Sequence, residues 1–329
     1  MLKVRSCAGA SGGGRSTDRS SSLPEGALWI DVNDPDAEDV AFIQRETGLT
    51  LPDRAALSEV ENSSRLRSDD GALYLSLPLV SPHAAKATLL PVGFILTENR
   101  LVTIRFHDIP SFSALEKVLD GHRVAHPTAA GSFLSLMEAI VDWLADSLEE
   151  IGGRVDHLSD DVFGNADVEP GSRHKKAQDH RLREALKVVG RERQLLSKIR
   201  GTLLGVHRIL PFVQGEADEW LTEGIKARLA AAIKDVESLD QFDEHLSDKI
   251  QFLLDAALGF INVEQNDTFR VLTIVSVVGI PPTLVASMYG MNFKHMPELD
   301  WIYGYPYGLA LIALSAITPL VYFRSKGWF

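Results

Sequence analysis

The chain of 329 residues contains a single cysteine, Cys7. One cysteine excludes an intramolecular disulfide and suits a chain whose bulk lies in the cytosol. There is no Gly-rich phosphate loop of the Walker type, no His-Glu-x-x-His, no paired cysteine and no Gly-x-Ser-x-Gly elbow. Nucleotide hydrolysis, zinc-peptidase chemistry and hydrolase chemistry therefore have no recognisable machinery, and no enzyme is expected. His122 and His126 have the spacing of two ligands on a helix, but Pro127 follows and the pair is isolated, so a surface loop is the expected reading. An excess of basic charge is also missing. The 33 Lys and Arg face 45 Asp and Glu, a formal net charge of -12, which argues against nucleic acid as a partner and is compatible with attracting cations. The first 26 residues are rich in Ser, Gly and Arg without an apolar run. No secretory signal is expected there, and residues 1–26 read as a disordered tail.

Two stretches lack charge altogether. Val271 to Phe293 lies uncharged between Arg270 and Lys294, and Trp301 to Phe323 lies uncharged between Asp300 and Arg324. Each is about 23 residues, or about 35 Å as helix, enough to cross a hydrocarbon core of about 30 Å. Buried core helices seldom run so long without a charge, so two transmembrane helices are expected. Arg270, Arg324 and Lys326 flank the outer ends of the pair, whereas the loop between holds Lys294 against Glu298 and Asp300. Both termini should then face the cytoplasm, with lipid around the two helices.

Proline is absent from Glu216 to Ile280. Within that stretch Ile225, Leu229, Ala232, Val236, Leu239, Leu246, Ile250, Leu253, Ala257 and Phe260 recur in steps of three and four, with Asp243 as the one polar intrusion. Continued through the first span, such a helix covers about 70 residues and about 100 Å, too long for a monomer's core, which predicts an oligomeric stalk. Before it, Ser132 to about Phe163 and Ser172 to near Pro211 read as helices, separated by a break at Gly164 to Gly171 and followed by a short connection, Pro211 to Gly215. Ser172 to Arg208 holds eleven Lys or Arg against three Asp or Glu, and Glu216 to Ile250 ten Asp or Glu against four Lys or Arg. Solvated faces and antiparallel pairing of a basic helix on an acidic one both account for this.

Upstream the texture is short and strand-like. Ala27 to Val32, Leu73 to Val80, Val92 to Thr97 and Leu101 to Phe106 read as strands, with hairpin turns at Asp69-Asp70-Gly71 and Glu98-Asn99-Arg100, and a helix from Asp36 to Thr47 that stops at Gly48. The fold class expected is an α+β membrane protein. It comprises an α/β cytoplasmic domain (27–130), a long-helix stalk (131–270), a first transmembrane helix (271–290), an outer loop (291–303), a second transmembrane helix (304–323) and a basic tail (324–329).

At the end of the first span stands Tyr289-Gly290-Met291-Asn292-Phe293, followed by Met296-Pro297-Glu298-Leu299. By itself Gly then Asn after an apolar helix is an ordinary helix stop. Together with Gly259 to Asn266, Pro281 to Ser287, the basic-aromatic ending Phe323 to Phe329, Trp29-Ile30-Asp31 and Glu61 to Leu66, this run resembles the CorA family of magnesium transporters, and its enterobacterial branch in particular. The resemblance covers nearly all the chain after residue 26.

It implies a homopentamer with a funnel of cytoplasmic domains, a stalk helix continuous with a pore-lining first span, and a peripheral second span. It also implies passive Mg²⁺ import, with Co²⁺ and Ni²⁺ as surrogates and no cofactor, selected at Gly290, Met291 and Asn292, where Asn292 meets the ion through its water shell. The implied pore line is Asn266, Phe269, Leu272, Ser276, Ile280, Thr283 and Ser287, positions that several relatives fill with Met where this chain has Phe269 and Ile280. Glu298 and Asp300 would raise the local cation concentration, opposed by Lys294 and His295. A family regulatory role for Mg²⁺ points to stalk carboxylates, with Asp235, Asp240 and Asp243 as candidates, although Ser81 to Lys86 lacks a carboxylate that some relatives place nearby. Two alternatives stand beside this: a ZntB-type zinc transporter, against which Met296 to Leu299 weighs, and a cytoplasmic scaffold or sensor anchored by two helices.

Overall fold

The computed structural model describes residues 2–6, 15–16, 22–24, 26–59, 61, 65–80, 88–109, 112, 128–163, 172–291, 296–297 and 301–328. Its contacts divide the chain into two units, Met1–Gly171 with Arg183–Leu253, and Ser172–Leu182 with Leu254–Phe329.

The first unit grows from apolar strands. β1 (Leu2–Ser6), β2 (Arg15–Ser16), β3 (Ala27–Asn33), β4 (Leu66–Asp69), β5 (Ala72–Val80), β6 (Leu89–Leu96) and β7 (Leu101–Arg105) form one sheet in the order β2-β1-β3-β7-β6-β5-β4. Every pair is antiparallel except β3 with β7, where Trp29 meets Leu101 and Asn33 meets Arg105. The four expected strands and the helix α1 (Ala37–Thr47) are present. Asp36 caps α1 by accepting from the Asp39 amide, and Gly48 ends it at φ 75°, a left-handed backbone that glycine adopts without strain. The β4–β5 turn has positive φ at both Asp70 (48°) and Gly71 (75°), the signature of a type I′ hairpin.

The N-terminal expectation needs correction. Leu2–Ser6 is a strand that pairs with β3, and Val4 is buried in the sheet core with Ile30 and Val32. Pairing with an apolar neighbour supplies the order that the local Ser/Gly/Arg composition does not. Arg15–Ser16 pairs in turn with β1.

In the middle of the sheet lies a buried ion pair. Arg105 donates to both carboxylate oxygens of Asp31, at 2.9 to 3.1 Å, and also to the carbonyl of His107 and the carboxylate of Asp108, each at 2.9 Å. Thr103 donates to Asp31 at 2.8 Å and receives the Trp29 indole N–H at 3.0 Å. Burial works against the Arg105 charge, but Asp31 and Asp108 more than offset it and hold the guanidinium protonated.

Three long helices follow, α3 (Ala129–Phe163), α4 (Ser172–Glu216) and α5 (Glu223–Tyr289), after the single turn α2 (Arg54–Leu57). α3 starts at Ala129 rather than Ser132, because Thr128 accepts the Gly131 amide at 3.0 Å. The expected stop near Pro211 is also corrected. α4 runs through Pro211 to Glu216, because a proline removes only one ladder bond and the flanking Leu210, Val213 and Ala217 are buried tightly enough to hold the turn.

Ion pairs give the helix directions within the first unit. Arg228 reaches Glu138 and Lys249 reaches Asp156, so α5 runs parallel to α3. Arg200 reaches Asp243 and Arg193 reaches Gln251, so α4 is antiparallel to α5. The basic α4 and acidic α5 therefore do meet, while α3 takes several of the remaining pairs, including Arg154 with Glu192 at 2.8 Å. The expected seam is buried at Leu229, Ala232, Val236, Leu246, Ile250 and Leu253.

Gly205 of α4 lies against β5, where an added Cβ would stand 2.6 Å from Leu77 Cδ1 and 3.3 Å from Pro78. Leu77 is itself fully buried and has nowhere to retreat. Gly205→Ala should therefore destabilise the protein by about 1–3 kcal/mol, read as a lowered denaturation midpoint, in spite of alanine's better helix propensity.

The second unit contains the end of α5 and the helix α6 (Gly304–Ser325). Both are long and apolar enough to cross a membrane, and their most apolar windows are almost wholly unburied within the protein. The predicted fold class is thus present: an N-terminal α/β domain, a long helix and two C-terminal apolar helices.

Candidate functional site

A helix carries side chains three and four residues apart on one face. The seven positions Asn266, Phe269, Leu272, Ser276, Ile280, Thr283 and Ser287 all lie on α5, so their spacing makes one continuous stripe. Phe269, Leu272 and Ile280 are each more than 60% exposed, and the polar members between and beyond them lie at the surface or half-buried. A face of large uncovered apolar side chains is not stable in water, so it is built for lipid or for further protein.

Two threonine hydroxyls on this helix are committed to the backbone. Thr283 donates to the Gly279 carbonyl at 2.8 Å and Thr273 to that of Phe269 at 2.7 Å. With its proton spent, the Thr283 oxygen retains only accepting lone pairs, the polarity a cation's water shell requires. Pro281 and Pro282 lie inside α5 and bring no N–H, so the carbonyls of Val277 and Val278 have no backbone donor at the usual helical position.

The helix ends where the sequence places its polar turn. The Gly290 amide bonds to the Ala286 carbonyl at 3.0 Å, and the Met291 amide to that of Met288 at 3.3 Å, a tightening of the last turn. A Cβ on Gly290 would lie 3.2 Å from the Ala286 oxygen, so this position favours the smallest residue. Asn292, Lys294, His295, Glu298 and Asp300 lie outside the described residues, as do Ser81 to Lys86, His122 and His126.

Aromatic side chains mark the ends of the two spans. Trp301 packs against Tyr303 and Tyr307 with centroids 6.1 and 5.6 Å apart, and at the other end of α6 Trp328 stacks on Phe323 at 5.0 Å. Arg270 lies 5.9 Å from the Trp328 ring centroid and 3.5 Å from Asp267. Tyr and Trp with an apolar body and a polar edge are the residues expected at a membrane–water boundary.

The stalk candidates differ from one another. Asp235 is exposed, Asp240 is half-buried and Asp243 is wholly buried. Asp235 adds to an acidic row on α3, Glu138, Asp142 and Asp146, that the sequence analysis did not single out although its spacing of four residues was visible. Burial first, then Glu138, Asp146 and Asp235, raises the Asp142 carboxyl above the usual carboxylate range. Among the described residues no group of three or more His, Cys, Asp or Glu is arranged to hold a metal ion within the single chain.

Comparison with known proteins gives a consistent result. The family profile described as CorA-like Mg²⁺ transporter protein matches residues 24–325. The magnesium transport protein CorA of Escherichia coli K12 is 33% identical over 306 residues, covering 92% of this chain and 92% of that protein. That of Haemophilus influenzae is 33% identical over 303 residues, again covering 92% of each. The solved structure of the CorA magnesium transporter from Methanocaldococcus jannaschii superposes with a TM-score of 0.76 over 100% of this chain and 99% of that one, at 18% identity, a likeness of fold.

Proposed function

The chain belongs to the family of CorA-like Mg²⁺ transporter proteins, and from that premise we propose that it is a passive, membrane-potential-driven channel that imports Mg²⁺. The observation that carries this reading is the stripe on α5. Its polar and apolar side chains are interspersed along one largely uncovered face of a helix that ends at Tyr289, just before Gly290 and Met291. Lipid would leave the polar members of that face unsatisfied, whereas other copies of the same helix would cover it, and a closed ring is the arrangement in which every copy is covered alike. The proposed assembly is a homopentamer in the inner membrane, with both termini cytoplasmic and α6 outside the ring.

Mg²⁺ dehydrates reluctantly, so a pore passes it most readily with waters attached. A ring of Asn292 amides with the carbonyls of Gly290 and Met291 hydrogen-bonds that water shell without the grip of carboxylates, which lets the ion leave again. Phe269, Leu272 and Ile280 form apolar constrictions that close by excluding water. Glu298 and Asp300 draw cations to the outer mouth. The drive is sufficient without a nucleotide, since a divalent ion gains about 4.6 kcal/mol per 100 mV on moving inward, twice the single-charge value. Co²⁺ and Ni²⁺, with hydrated ions of similar size, pass by the same route. Internal Mg²⁺ held between neighbouring cytoplasmic domains, with Asp235 and Asp240 as the accessible stalk acids, provides feedback.

Flux of Mg²⁺ and of Zn²⁺ into proteoliposomes under an imposed potential tests the reading. Potential-dependent Mg²⁺ entry in preference to Zn²⁺ is expected. Preferential Zn²⁺ entry would favour a zinc transporter, and no flux of either ion would favour an anchored scaffold. A detergent-solubilised mass near that of a monomer or dimer would contradict the pentamer.

A further inference from the structure

The helix α6 ends in a turn that ties it to α5. Gly327 takes a left-handed backbone at φ 70°, its amide bonds to the Arg324 carbonyl at 3.1 Å, and the Trp328 amide bonds back to the Phe323 carbonyl at 3.0 Å. Such a glycine-ended stop satisfies leftover carbonyls and turns the chain back on itself. Trp328 is thereby laid on Phe323, with centroids 5.0 Å apart and planes 22° from parallel. Phe323 is the one buried side chain among the described residues of α6. The indole also meets α5, where the Arg270 guanidinium lies 5.9 Å from the ring centroid.

Between Trp328 and α5 lies a groove of about 650 Å³. Asp267, Arg270 and Trp328 line its polar end, and Val271, Leu272 and Val275 continue it along the span. Val271 and Val275, one turn apart, are 61% and 65% exposed. A groove of this size falls within the about 300–1,000 Å³ of ordinary ligand sites, and it is amphipathic along its length.

Charge at this end of the two spans is unbalanced. Arg270 reaches Asp267 at 3.5 Å, and Arg324 and Lys326 stand exposed at the end of α6. Even with Glu264 counted, one turn further from the span, cations exceed acids three to two. Lipid tails cover Val271 and Val275 whatever their headgroup, so the excess charge decides which headgroup is held. A zwitterionic lipid brings an ammonium into the field of three cations, whereas an anionic one brings only the phosphate that a guanidinium binds in its planar fork. A second copy of α5 could cover the apolar end, but in a ring it would bring another Arg270 to the same height.

We propose that this groove is a site for one anionic phospholipid, with its phosphate against the Arg270 guanidinium beside Trp328 and an acyl chain along Val271 and Val275. Arg324 and Lys326 supply the surrounding positive field. The bound lipid braces α5 against α6 one residue from Phe269, where the apolar part of the stripe begins. That consequence, and the assignment of the leaflet as cytoplasmic, rest on the transport reading; the lipid site does not.

The test is native mass spectrometry of the full-length protein released from nanodiscs of mixed phosphatidylglycerol and phosphatidylcholine. Wild type should retain phosphatidylglycerol in preference. Arg270→Gln should lower that preference about fivefold, the size expected for one basic residue at an anionic surface. Arg270→Lys keeps the charge without the fork and should fall between the two. The double variant Arg324→Gln with Lys326→Gln, on exposed side chains that the fold does not need, should lower both retention and its sensitivity to salt. Equal retention of the two lipids by wild type, or an unchanged preference in Arg270→Gln, overturns the site. Displacement of the lipid by inorganic phosphate would make it a site for free anions and overturns it too. Loss of oligomer mass in Arg270→Gln with the lipid preference intact would assign the groove to a second copy. Ion flux plays no part in this readout, so a protein that carries no Mg²⁺ can still hold the lipid, and the two readings fail separately.

Discussion

Asn292→Ala is expected to lower Mg²⁺ flux by tenfold or more while leaving folding and oligomer mass unchanged. In the proposed ring every chain presents one amide to the hydrated ion. A net hydrogen bond contributes about 0.5–1.5 kcal/mol, and each 1.4 kcal/mol corresponds to about tenfold in an equilibrium constant. Removing the amide from every chain at once therefore reaches at least one decade even if only part of the ring touches the water shell. Asn292→Asp separates selectivity from simple polarity. Carboxylates hold divalent ions more strongly, so entry should persist and release should slow, seen as flux that saturates at lower Mg²⁺. Undiminished Mg²⁺ flux in Asn292→Ala would remove the selectivity assignment and leave the residue as a helix cap.

The second large effect is predicted in the α/β domain. Arg105→Leu leaves Asp31 ionised in the middle of the sheet, 2% exposed, with only the Thr103 hydroxyl among the contacts described above to satisfy it. Breaking a buried pair from one side typically costs about 3–5 kcal/mol, a large share of the 5–15 kcal/mol by which most domains are stable. Chemical denaturation should show that loss at neutral pH. The double variant Asp31→Leu with Arg105→Leu should recover most of it, because replacing both partners with apolar groups removes the uncompensated charge. A double variant as unstable as the single one would mean that the hydrogen bonds of Arg105 to Asp108 and the His107 carbonyl, not the ion pair, hold this part of the sheet. Both variants lie far in sequence from the stripe on α5, so any flux change should follow the amount of folded protein.

Much of this was legible in the linear chain because the deciding quantities are local. Strands at Ala27–Asn33 and Ala72–Val80 follow from short apolar runs, and the hairpin at Asp70-Gly71 from residues that tolerate positive φ. The two spans follow from length without charge, and the stripe from steps of three and four along a helix whose existence was already implied. The sequence failed where long-range packing overrode local preference. Leu2–Ser6 looks disordered by composition but pairs in the sheet between β2 and β3. Pro211 looks like a stop but is carried through by buried neighbours. β4 lies in a polar segment, Leu66–Asp69, whose strand character comes from its partner β5 rather than from its own residues.

Asp243 shows the division most clearly. The sequence by itself determined that an acid interrupts the apolar seam, that the seam belongs to a helix of about 100 Å, and that this helix stops near Gly290. Periodicity and charge are properties of the chain. The pattern set Asp243 apart from Asp235 and Asp240 as the one acid in the seam, but it could not say which elements cover it or how completely. Only the tertiary structure decides that, by bringing α3 and α4 over one carboxylate and leaving another exposed. The reason is physical: the state of an ionisable group depends on the water and counter-charges within a few ångströms. Those neighbours come from helices about 40 and 90 residues away along the chain.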